Sequence, residues 1–261
     1  AHPRSRRAGS APLPAPVPTI AGVARVRIEG DWPGPVGLLR GWARAAARPW
    51  NDVIPMAHLR VERGGQGFLG DCAAALLSLP AVAGVLSPPL LAAARPAWEQ
   101  AGFHSHSRLI LMRRELHDLP ASEHVVAPGD LRDLNDALRV DQAAFDRFWR
   151  FDRTALLEAV QATTHRAVHL VRRPGGGLAG FSVTGRAGSL AYLQRVAVDP
   201  AWQGRGIGRS LVRAGASWAQ QEGATALLLN TPEGNAAAAG LYESEGFRTV
   251  TRDLAVLART E

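Results

Sequence analysis

The sequence contains no lysine and only one cysteine, Cys72, among its 261 residues. A single thiol cannot form an internal disulfide, and it excludes a zinc site built from several cysteines. His104 and His106 are spaced so that both rings could share one strand face, but no cysteine or further histidine lies nearby in sequence. We therefore expect no metal site, and the lone thiol fits the reducing cytoplasm.

Long uninterrupted hydrophobic runs are lacking as well. Residues 72–94 carry no charge, and their number raises the question of a membrane span. Three prolines interrupt this run: Pro80, Pro88 and Pro89. We predict a helix, a buried strand near 81–87 and a second helix instead. Arg6 and Arg7 precede prolines rather than the apolar core of a twin-arginine signal, so no membrane partner is expected.

The excess of positive charge is confined to the start of the chain. The net charge is +7, and all 30 basic residues are arginines. Residues 1–28 contain five arginines and no acidic residue. The rest of the chain therefore contains 25 arginines and all 23 acidic residues. The folded body is nearly neutral, and a nucleic-acid partner is not indicated. Residues 1–21 are rich in proline and arginine and are expected to form a disordered tail.

The second half of the sequence alternates helical and strand-like patterns. We predict helices over 131–145, 153–162, 206–221 and 235–245, and strands over 167–172, 178–184, 190–198, 226–229 and 249–257. The strands at 167–172 and 178–184 are joined by a glycine-rich turn. The alternation predicts an α/β or α+β fold with a mixed central sheet flanked by helices.

The segment Val196–Arg209 reads Val-Ala-Val-Asp-Pro-Ala-Trp-Gln-Gly-Arg-Gly-Ile-Gly-Arg. A buried strand ends at Pro200, and a glycine turn leads into a helix. Gly206 and Gly208 allow a close backbone approach that a Cβ atom would block. The free amides and the dipole at the start of the helix favour a bound diphosphate.

Two motifs resemble those of the GNAT superfamily of N-acetyltransferases. Gln203-Gly204-Arg205-Gly206-Ile207-Gly208 resembles the Q/R-x-x-G-x-G/A signature of motif A. The run from Asn235 to Phe247 resembles N-x-x-A-x-x-L-Y-E-x-x-G-F. The resemblance covers about residues 122–258, and it implies an acyl-CoA N-acyltransferase fold with acetyl-CoA as co-substrate.

The resemblance also implies roles for individual residues. The backbone of Val196, Ala197 and Val198 would pair with the pantetheine arm of acetyl-CoA. The cofactor's pyrophosphate would lie on the motif A turn, formed by Gln203, Gly204, Arg205, Gly206, Ile207, Gly208 and Arg209. Asn235 would hydrogen-bond the arm, and Tyr242 would act as general acid toward the CoA thiolate. A phenol is a proton donor at neutral pH, which agrees with that role.

The general base is left unassigned. The motifs resemble ribosomal-protein alanine acetyltransferases, where a glutamate precedes the asparagine by five residues. Asn230 stands there in this chain, and Tyr192 stands in place of another glutamate common in the family. Glu233 is a weak candidate, with an exposed loop acid as the alternative.

Residues 86–114 repeat the end of the second half with an offset of 144 residues. Leu91 replaces the asparagine and Trp98 the tyrosine, so we expect a degenerate, truncated GNAT-like domain at 22–118 and a catalytic GNAT domain at 119–261. Few elements are expected before Met56. A Gly-x-Gly-x-x-Gly run at 65–70 lacks the acid that a dinucleotide site requires, which argues against a Rossmann unit.

Phe145, Phe148 and Trp149 lie where the family's first two helices shape the acceptor site, and ordinary core packing is an equal alternative. The expected activity is direct transfer of an acetyl group from acetyl-CoA to the primary amine of a small molecule. A protein N-terminal acetyltransferase and a non-catalytic acyl-CoA sensor remain as alternatives.

Overall fold

The computed structural model describes residues 26–260, so the tail expected at residues 1–21 lies outside the described residues. Within that range one sheet contains thirteen strands. They are β1 (Arg27–Glu29), β2 (Val36–Arg40), β3 (Ala43–Pro49), β4 (Met56–Arg63), β5 (Gly84–Leu86), β6 (Leu90–Leu91), β7 (His104–Glu115), β8 (Ala127–Gly129), β9 (His165–Arg172), β10 (Leu178–Ala187), β11 (Leu190–Val198), β12 (Ala226–Pro232) and β13 (Arg248–Arg259). Their spatial order is β1-β2-β3-β4-β5-β13-β7-β12-β11-β10-β9-β8, with β6 paired to β13 beside this path.

Helices cover both faces of the second half of the sheet. The α-helices of the described range are α1 (Gln66–Leu77), α2 (Arg95–Gln100), α3 (Leu134–Ala144), α4 (Arg153–Gln161), α5 (Ile207–Gln221) and α6 (Ala236–Ser244). On β10, Phe181 packs beneath α3 and α4, whereas the hydroxyl of Ser182 donates to the Leu211 carbonyl of α5. Burial from two sides explains why most of β10 is buried without alternation.

The mixed sheet with flanking helices confirms the predicted fold class. Strand β11 has the predicted bounds, and α5 begins one residue later than predicted. Strand β12 continues three residues beyond the predicted end at 229, because it pairs with β7 as far as Pro232. Gly223 follows α5 with a φ of +86°, the left-handed conformation in which a glycine commonly ends a helix.

The first half repeats the element order of the second. Strand β13 lies 144 residues after β7 at both ends, so the predicted offset is reproduced in the structure. Three strands precede Met56, so the prediction of few elements there was wrong. Strand β3 has the sequence Ala-Arg-Ala-Ala-Ala-Arg-Pro, without a β-branched or aromatic residue. Its β-propensity is therefore too low to predict a strand. Its pairing with β2 and β4 forms the strand regardless.

The two halves exchange their last strands. Strand β7 of the first half lies between β12 and β13 of the second. Strand β13 in turn lies between β7 and β5, because Ala258 pairs with Leu86. Each half therefore completes its part of the sheet with a strand from the other half.

Between β1 and β2 the described part of the first half has no counterparts of α3 and α4. Residues 30–35 join β1 to β2, whereas residues 130–164 separate β8 from β9. The uncovered face of β2, β3 and β4 holds a cavity of about 390 Å³. Helix α4 closes one end of it, where Arg48 and Glu158 form an ion pair of 2.8 Å. The second half therefore contacts the first directly at this face.

Candidate active site

Strands β11 and β12 run parallel for only three residue pairs and then separate. Tyr192 and Leu228 form the last pair. Beyond it β11 continues to Val198 and pairs only with β10 among the described strands. Gln194 has no partner on β10, because Arg195 pairs with Val183 and Leu193 pairs with Thr184. Strand β11 therefore has a bulge at Gln194. The backbone edge of residues 196–198 that faces β12 is open, and an extended ligand can add to such an edge.

The glycine turn after β11 presents backbone amides beside this opening. Gly204 and Gly206 have φ values of +74° and +79°, in the left-handed region that favours glycine. Gly206 immediately precedes α5, whose first amides have no partner within the helix. Apart from Gly204 itself and its two chain neighbours, no described residue has an atom within 4 Å of the position that a Cβ atom would take there. The turn and the positive end of the α5 dipole therefore suit a diphosphate.

Gly208 holds three elements of the site together. A Cβ atom at this position would lie 3.4 Å from Leu241 Cδ2 of α6 and 3.6 Å from Val198 Cγ2 of β11. The start of α5 thus packs closely against both α6 and the open strand. A side chain larger than alanine would push these elements apart.

Tyr242 lies on α6, facing the same hydrophobic cluster as Val196 of β11. Its ring centroid is 5.7 Å from that of Phe247, and the residue is 9% exposed. Burial raises the pKa of Tyr242 to about 12, and the nearby Arg195 opposes this shift. The hydroxyl therefore stays protonated at neutral pH and can donate a hydrogen bond.

Asn235 is the N-terminal cap of α6. Its side-chain oxygen accepts a hydrogen bond of 3.1 Å from the Ala238 amide. The side-chain amide group has no hydrogen-bond partner among the described residues, so it is free to donate. The cap was not anticipated from the sequence, and it orients this side chain at the end of β12.

Glu233, the weak candidate for the base, and the two residues that stand in place of family glutamates are all exposed. Glu233 is exposed, and its backbone amide donates to the Arg108 carbonyl of β7. Tyr192 is 37% exposed, and Asn230 is exposed on β12. The side chains flanking Tyr192 are buried beneath α5, so Tyr192 points to the opposite face of the sheet. The base remains unassigned.

The segment between α3 and α4 carries the three aromatic residues weighed for the acceptor site. Phe148 stacks on Trp50 of the first half with ring centroids 5.0 Å apart, and it also contacts Trp149 and His106. Phe145 packs instead against the guanidinium of Arg195, at 3.5 Å from the ring centroid. All three rings are packed, and their part in acceptor binding stays a prediction.

Arg195 links this segment to β11. Its side chain donates two hydrogen bonds to Asp141 of α3, at 2.5 and 2.9 Å, and one to the Trp149 carbonyl at 2.7 Å. The guanidinium lies between the rings of Phe145 and Phe151. Asp141 also accepts the Phe151 amide. The residue that precedes the open edge of β11 thus fixes the segment in position.

Glu245 fixes the two helices of the site relative to each other. Its side chain is 2% exposed at the end of α6. It accepts two hydrogen bonds from Arg213 of α5, and Arg209 Nε lies 2.9 Å away. Arg114 of β7 approaches to 3.7 Å. The helix that starts at the glycine turn is therefore tied to the helix that carries Tyr242.

Other chemistry finds little support in the described range. Cys72 is buried in the first half, and burial raises its thiol pKa to about 12, so it is a poor nucleophile. No described group of three or more His, Cys, Asp or Glu side chains is arranged to hold a metal ion. No helix of the described range has the length and apolar character that crossing a membrane requires.

Sequence reasoning missed several of these residues. Arg195 and Asp141 are opposite charges at positions that the strand and helix patterns place inside, which is a usable signal for a buried pair. Glu245 lies three residues after Tyr242 on a predicted helix, hence on a neighbouring part of its surface. Asn51, described below, had no signal because its partners are backbone carbonyls distant in sequence.

One part of the chain matches a known protein family. Residues 135–247 match the acetyltransferase (GNAT) family. The match begins in α3 and ends at Phe247, so it includes the glycine turn, α5 and α6.

Two curated relatives align with parts of the chain. A mycothiol acetyltransferase of Mycobacteroides abscessus is 32% identical over an alignment of 194 residues, which covers 63% of this chain and 60% of the relative. A [ribosomal protein bS18]-alanine N-acetyltransferase of Escherichia coli is 38% identical over 76 residues, which cover 29% of this chain and 51% of the relative. The matched regions thus span less than two thirds of either relative.

Several solved structures are similar over both halves of the chain. The tandem GNAT protein from the clavulanic acid biosynthesis pathway superposes with a TM-score of 0.60 and 14% identity. The superposition covers 87% of this chain and 82% of that structure. At this identity the likeness concerns the fold, and it extends to the first half, beyond the region of the family match.

Proposed function

Because residues 135–247 belong to the GNAT family of acetyltransferases, we propose that this chain transfers the acetyl group of acetyl-CoA to the primary amine of a small molecule. The opening between β11 and β12 carries the proposal. An unpaired strand edge, the glycine turn before α5 and the buried Tyr242 meet around it. Acetyl-CoA supplies an activated thioester, and the residues of this chain bind and orient both substrates.

The residues around the opening fit acetyl-CoA. The free edge of Val196–Val198 offers backbone donors and acceptors to an arm that contains amides. Amides from Gly204 to Arg209, with the α5 dipole behind them, suit the diphosphate. Asn235 has a free side-chain amide to donate to the arm, because the cap uses only its oxygen.

Transfer is direct in this proposal, without an acetyl-cysteine. The amine nitrogen forms a bond to the acetyl carbon, the C–S bond breaks, and the amine loses a proton. Tyr242 donates a hydrogen bond to the departing thiolate, which needs a protonated phenol. A phenol with a pKa of about 12 does not fully transfer its proton to a thiolate unaided. The proton that the amine loses therefore ends on the sulfur, and CoA leaves as the thiol.

A small acceptor is favoured over a protein N-terminus by two observations. The first half packs against the segment between α3 and α4 through Trp50, which would leave less room there for a protein acceptor. The alignment to the mycothiol acetyltransferase covers more of this chain than the alignment to the ribosomal-protein enzyme. A protein N-terminal acetyltransferase is the second candidate, and the 38% identity to the latter favours it.

We also propose that the catalytic domain is 119–261 and that residues 22–118 form a degenerate domain without a cofactor site. Trp98 stands where Tyr242 stands in the second half, and its ring packs on Phe103 as that of Tyr242 packs on Phe247. An indole on α2 has no acidic hydroxyl to offer. The cytoplasm suits the proposed reaction and the single buried thiol, Cys72.

Two measurements test the proposal. Calorimetric titration with acetyl-CoA should give one binding site per chain. Release of free CoA should then be followed with a panel of small primary amines and with peptides that begin with alanine. Turnover with small amines supports the proposal, and turnover with peptides alone favours the second candidate. Binding without turnover on any acceptor would indicate an acyl-CoA sensor.

A further inference from the structure

A turn of the first half binds a loop of the second half through the hydrogen bonds of one buried side chain. The turn comprises residues 50–54, between β3 and β4, and is named the clamp turn here. The loop comprises residues 145–152, between α3 and α4, and is named the acceptor loop. Asn51 of the clamp turn is only 2% exposed. Its side-chain nitrogen lies 2.9 Å from the Arg147 carbonyl and 3.1 Å from the Arg150 carbonyl.

The other end of the same side chain shapes the clamp turn. The Asn51 oxygen accepts hydrogen bonds from the amides of Val53 and Ile54, at 3.0 and 2.9 Å. Its nitrogen also lies 3.3 Å from the Phe148 carbonyl. The side-chain amide of Asn51 therefore fixes its own turn through its oxygen and binds backbone carbonyls of the acceptor loop through its nitrogen. Both functions together require a group that has a donor and an acceptor.

Neighbouring residues reinforce the contact. The Trp50 indole nitrogen donates to the Phe148 carbonyl at 2.5 Å, and the two rings stack. Asp52 and Arg150 form an ion pair of 2.8 Å at the rim. Three consecutive residues of the first half thus bind one short loop, mostly through its backbone.

The opposite side of the acceptor loop is held by the catalytic strand. Arg195, which precedes the open edge of β11, donates to the Trp149 carbonyl and packs between two rings of the loop. The loop is therefore fixed between the clamp turn and the strand on which the acetyl group would lie. Its conformation depends on both halves.

We infer that the first half, although without a cofactor site of its own, sets the affinity for the acceptor by holding the acceptor loop, with Asn51 as the positioning residue. The inference rests on the proposed function for its consequence, and on the hydrogen bonds of Asn51 for its mechanism. Holding a loop in its binding conformation reduces the ordering cost of binding. Loss of the clamp should therefore weaken acceptor binding more than acetyl-CoA binding.

Substitution Asn51→Asp isolates the clamp. Aspartate has the same shape and keeps the oxygen that accepts from Val53 and Ile54. It replaces the donor with a second acceptor, which faces three carbonyl oxygens. The clamp turn keeps its internal hydrogen bonds, whereas the acceptor loop loses those that its carbonyls accept from the Asn51 nitrogen. In the full chain we expect faster amide hydrogen exchange at 145–152 and a rise in acceptor KM of about 10- to 100-fold, as for two or three lost hydrogen bonds.

Ser87→Ala is the matched control. Ser87 is also fully buried in the first half, but its hydroxyl accepts from the Leu257 amide of β13 and donates to the Pro88 carbonyl, so it makes no hydrogen bond to the acceptor loop. It should cost stability without changing exchange at 145–152 or the acceptor KM. Acetyl-CoA affinity, measured by calorimetry, should change less than about threefold in both variants.

The outcomes are distinguishable. Unchanged exchange at 145–152 in Asn51→Asp would overturn the clamp. Faster exchange with an unchanged acceptor KM would overturn its role in acceptor affinity, and so would an equal rise in the acetyl-CoA Kd. If the wild-type chain acetylated no amine, the proposed function would fail. The exchange data would still decide whether Asn51 holds the loop.

Discussion

Arg195 of β11 and Asp141 of α3 are joined by two hydrogen bonds in the interior of the second half. Asp141 is fully buried, and the Arg195 side chain is nearly so. A buried pair of this kind stabilises less than its geometry suggests, because both charges lose their hydration. Its effect is on placement, since it sets where the acceptor loop lies relative to the open edge of β11.

Substitution Asp141→Asn should destabilise the protein by about 3–5 kcal/mol, because it leaves Arg195 buried without a counter-charge. Urea unfolding of the full chain would measure this loss. Asp136→Asn is a control on the same helix, where Asp136 pairs with Arg139 at the surface. An exposed pair is worth less than about 1 kcal/mol. Equal losses in the two variants would contradict the importance of the buried pair.

Substitution Tyr242→Phe should lower kcat by roughly 10- to 10,000-fold, the range for one acid–base group. Phenylalanine keeps the ring that packs on Phe247 and removes only the hydroxyl. Acetyl-CoA affinity should stay unchanged by calorimetry. Tyr192→Phe removes the chain's other phenol, which is exposed on the opposite face, and it should change kcat by less than threefold. If the two variants behaved alike with chemistry rate-limiting, Tyr242 would be structural.

Substitution Gly206→Glu should abolish acetyl-CoA binding. It adds a negative charge where the diphosphate would bind, and a Cβ atom there would lie 3.5 Å from the Glu123 carboxylate. The φ of +79° also strains any side chain. Gly188→Glu provides the control, since Gly188 has a φ of +62° in the turn between β10 and β11, at the other end of that strand. A folded Gly206→Glu protein with wild-type affinity would refute the diphosphate site.

The sequence predicted the parts of the fold that local patterns determine. The strand at 190–198 and the glycine turn that leads into α5 follow from residue type and spacing, and the structure confirms them. Strand β3 could not be predicted, because its alanines form a strand only when β2 and β4 pair with it. The exchange of β7 and β13 depends on contacts between residues about 144 positions apart, which no local pattern encodes.

The site shows the same division. Motif residues such as Gly206 and Tyr242 were recognisable from the sequence, whereas the residues that position the acceptor loop were not. Asn51 binds backbone carbonyls, which every residue type has, so the residue types in the loop could not indicate this contact. Arg195 is a charge in a strand and was missed from the sequence, and its partner could be chosen only once α3 was packed on the sheet.

The protein should lose stability as the pH falls below 6.5, in part through two histidines. Burial, with Arg48 and Arg60 nearby, lowers the pKa of His58 to about 3, and burial lowers that of His169 to about 4. Below pH 6.5 the unfolded chain binds protons that these folded side chains do not, so unfolding is favoured by up to about 1.4 kcal/mol per pH unit for each group. The loss is complete once the pH falls through the folded pKa.

Urea unfolding of wild type and His58→Gln between pH 7.5 and 5 would measure this effect. The variant should show a shallower decline than wild type, and addition of His169→Gln should reduce the slope again. A decline unchanged in the double variant would assign the acid sensitivity to other groups.

The second half of the chain should depend on the first half for its solubility. A fragment of residues 119–261 lacks β7, which pairs with β12 along all seven residues of that strand. It also lacks Ile110 and Met112, which pack in the cluster beneath Tyr242. One edge of β12 and both edges of β13 are then unpaired, and with the uncovered apolar cluster they should make the fragment aggregate.

A fragment of residues 104–261 differs from the first by restoring β7 to its place between β12 and β13. It should be the more soluble of the two by size-exclusion chromatography, and it should bind acetyl-CoA. Without the clamp turn its acceptor KM should resemble that of Asn51→Asp, because the same contacts to the acceptor loop are missing. A soluble, fully active 119–261 fragment would show that neither the exchanged strand nor the clamp turn is needed. The first half would then be dispensable for catalysis.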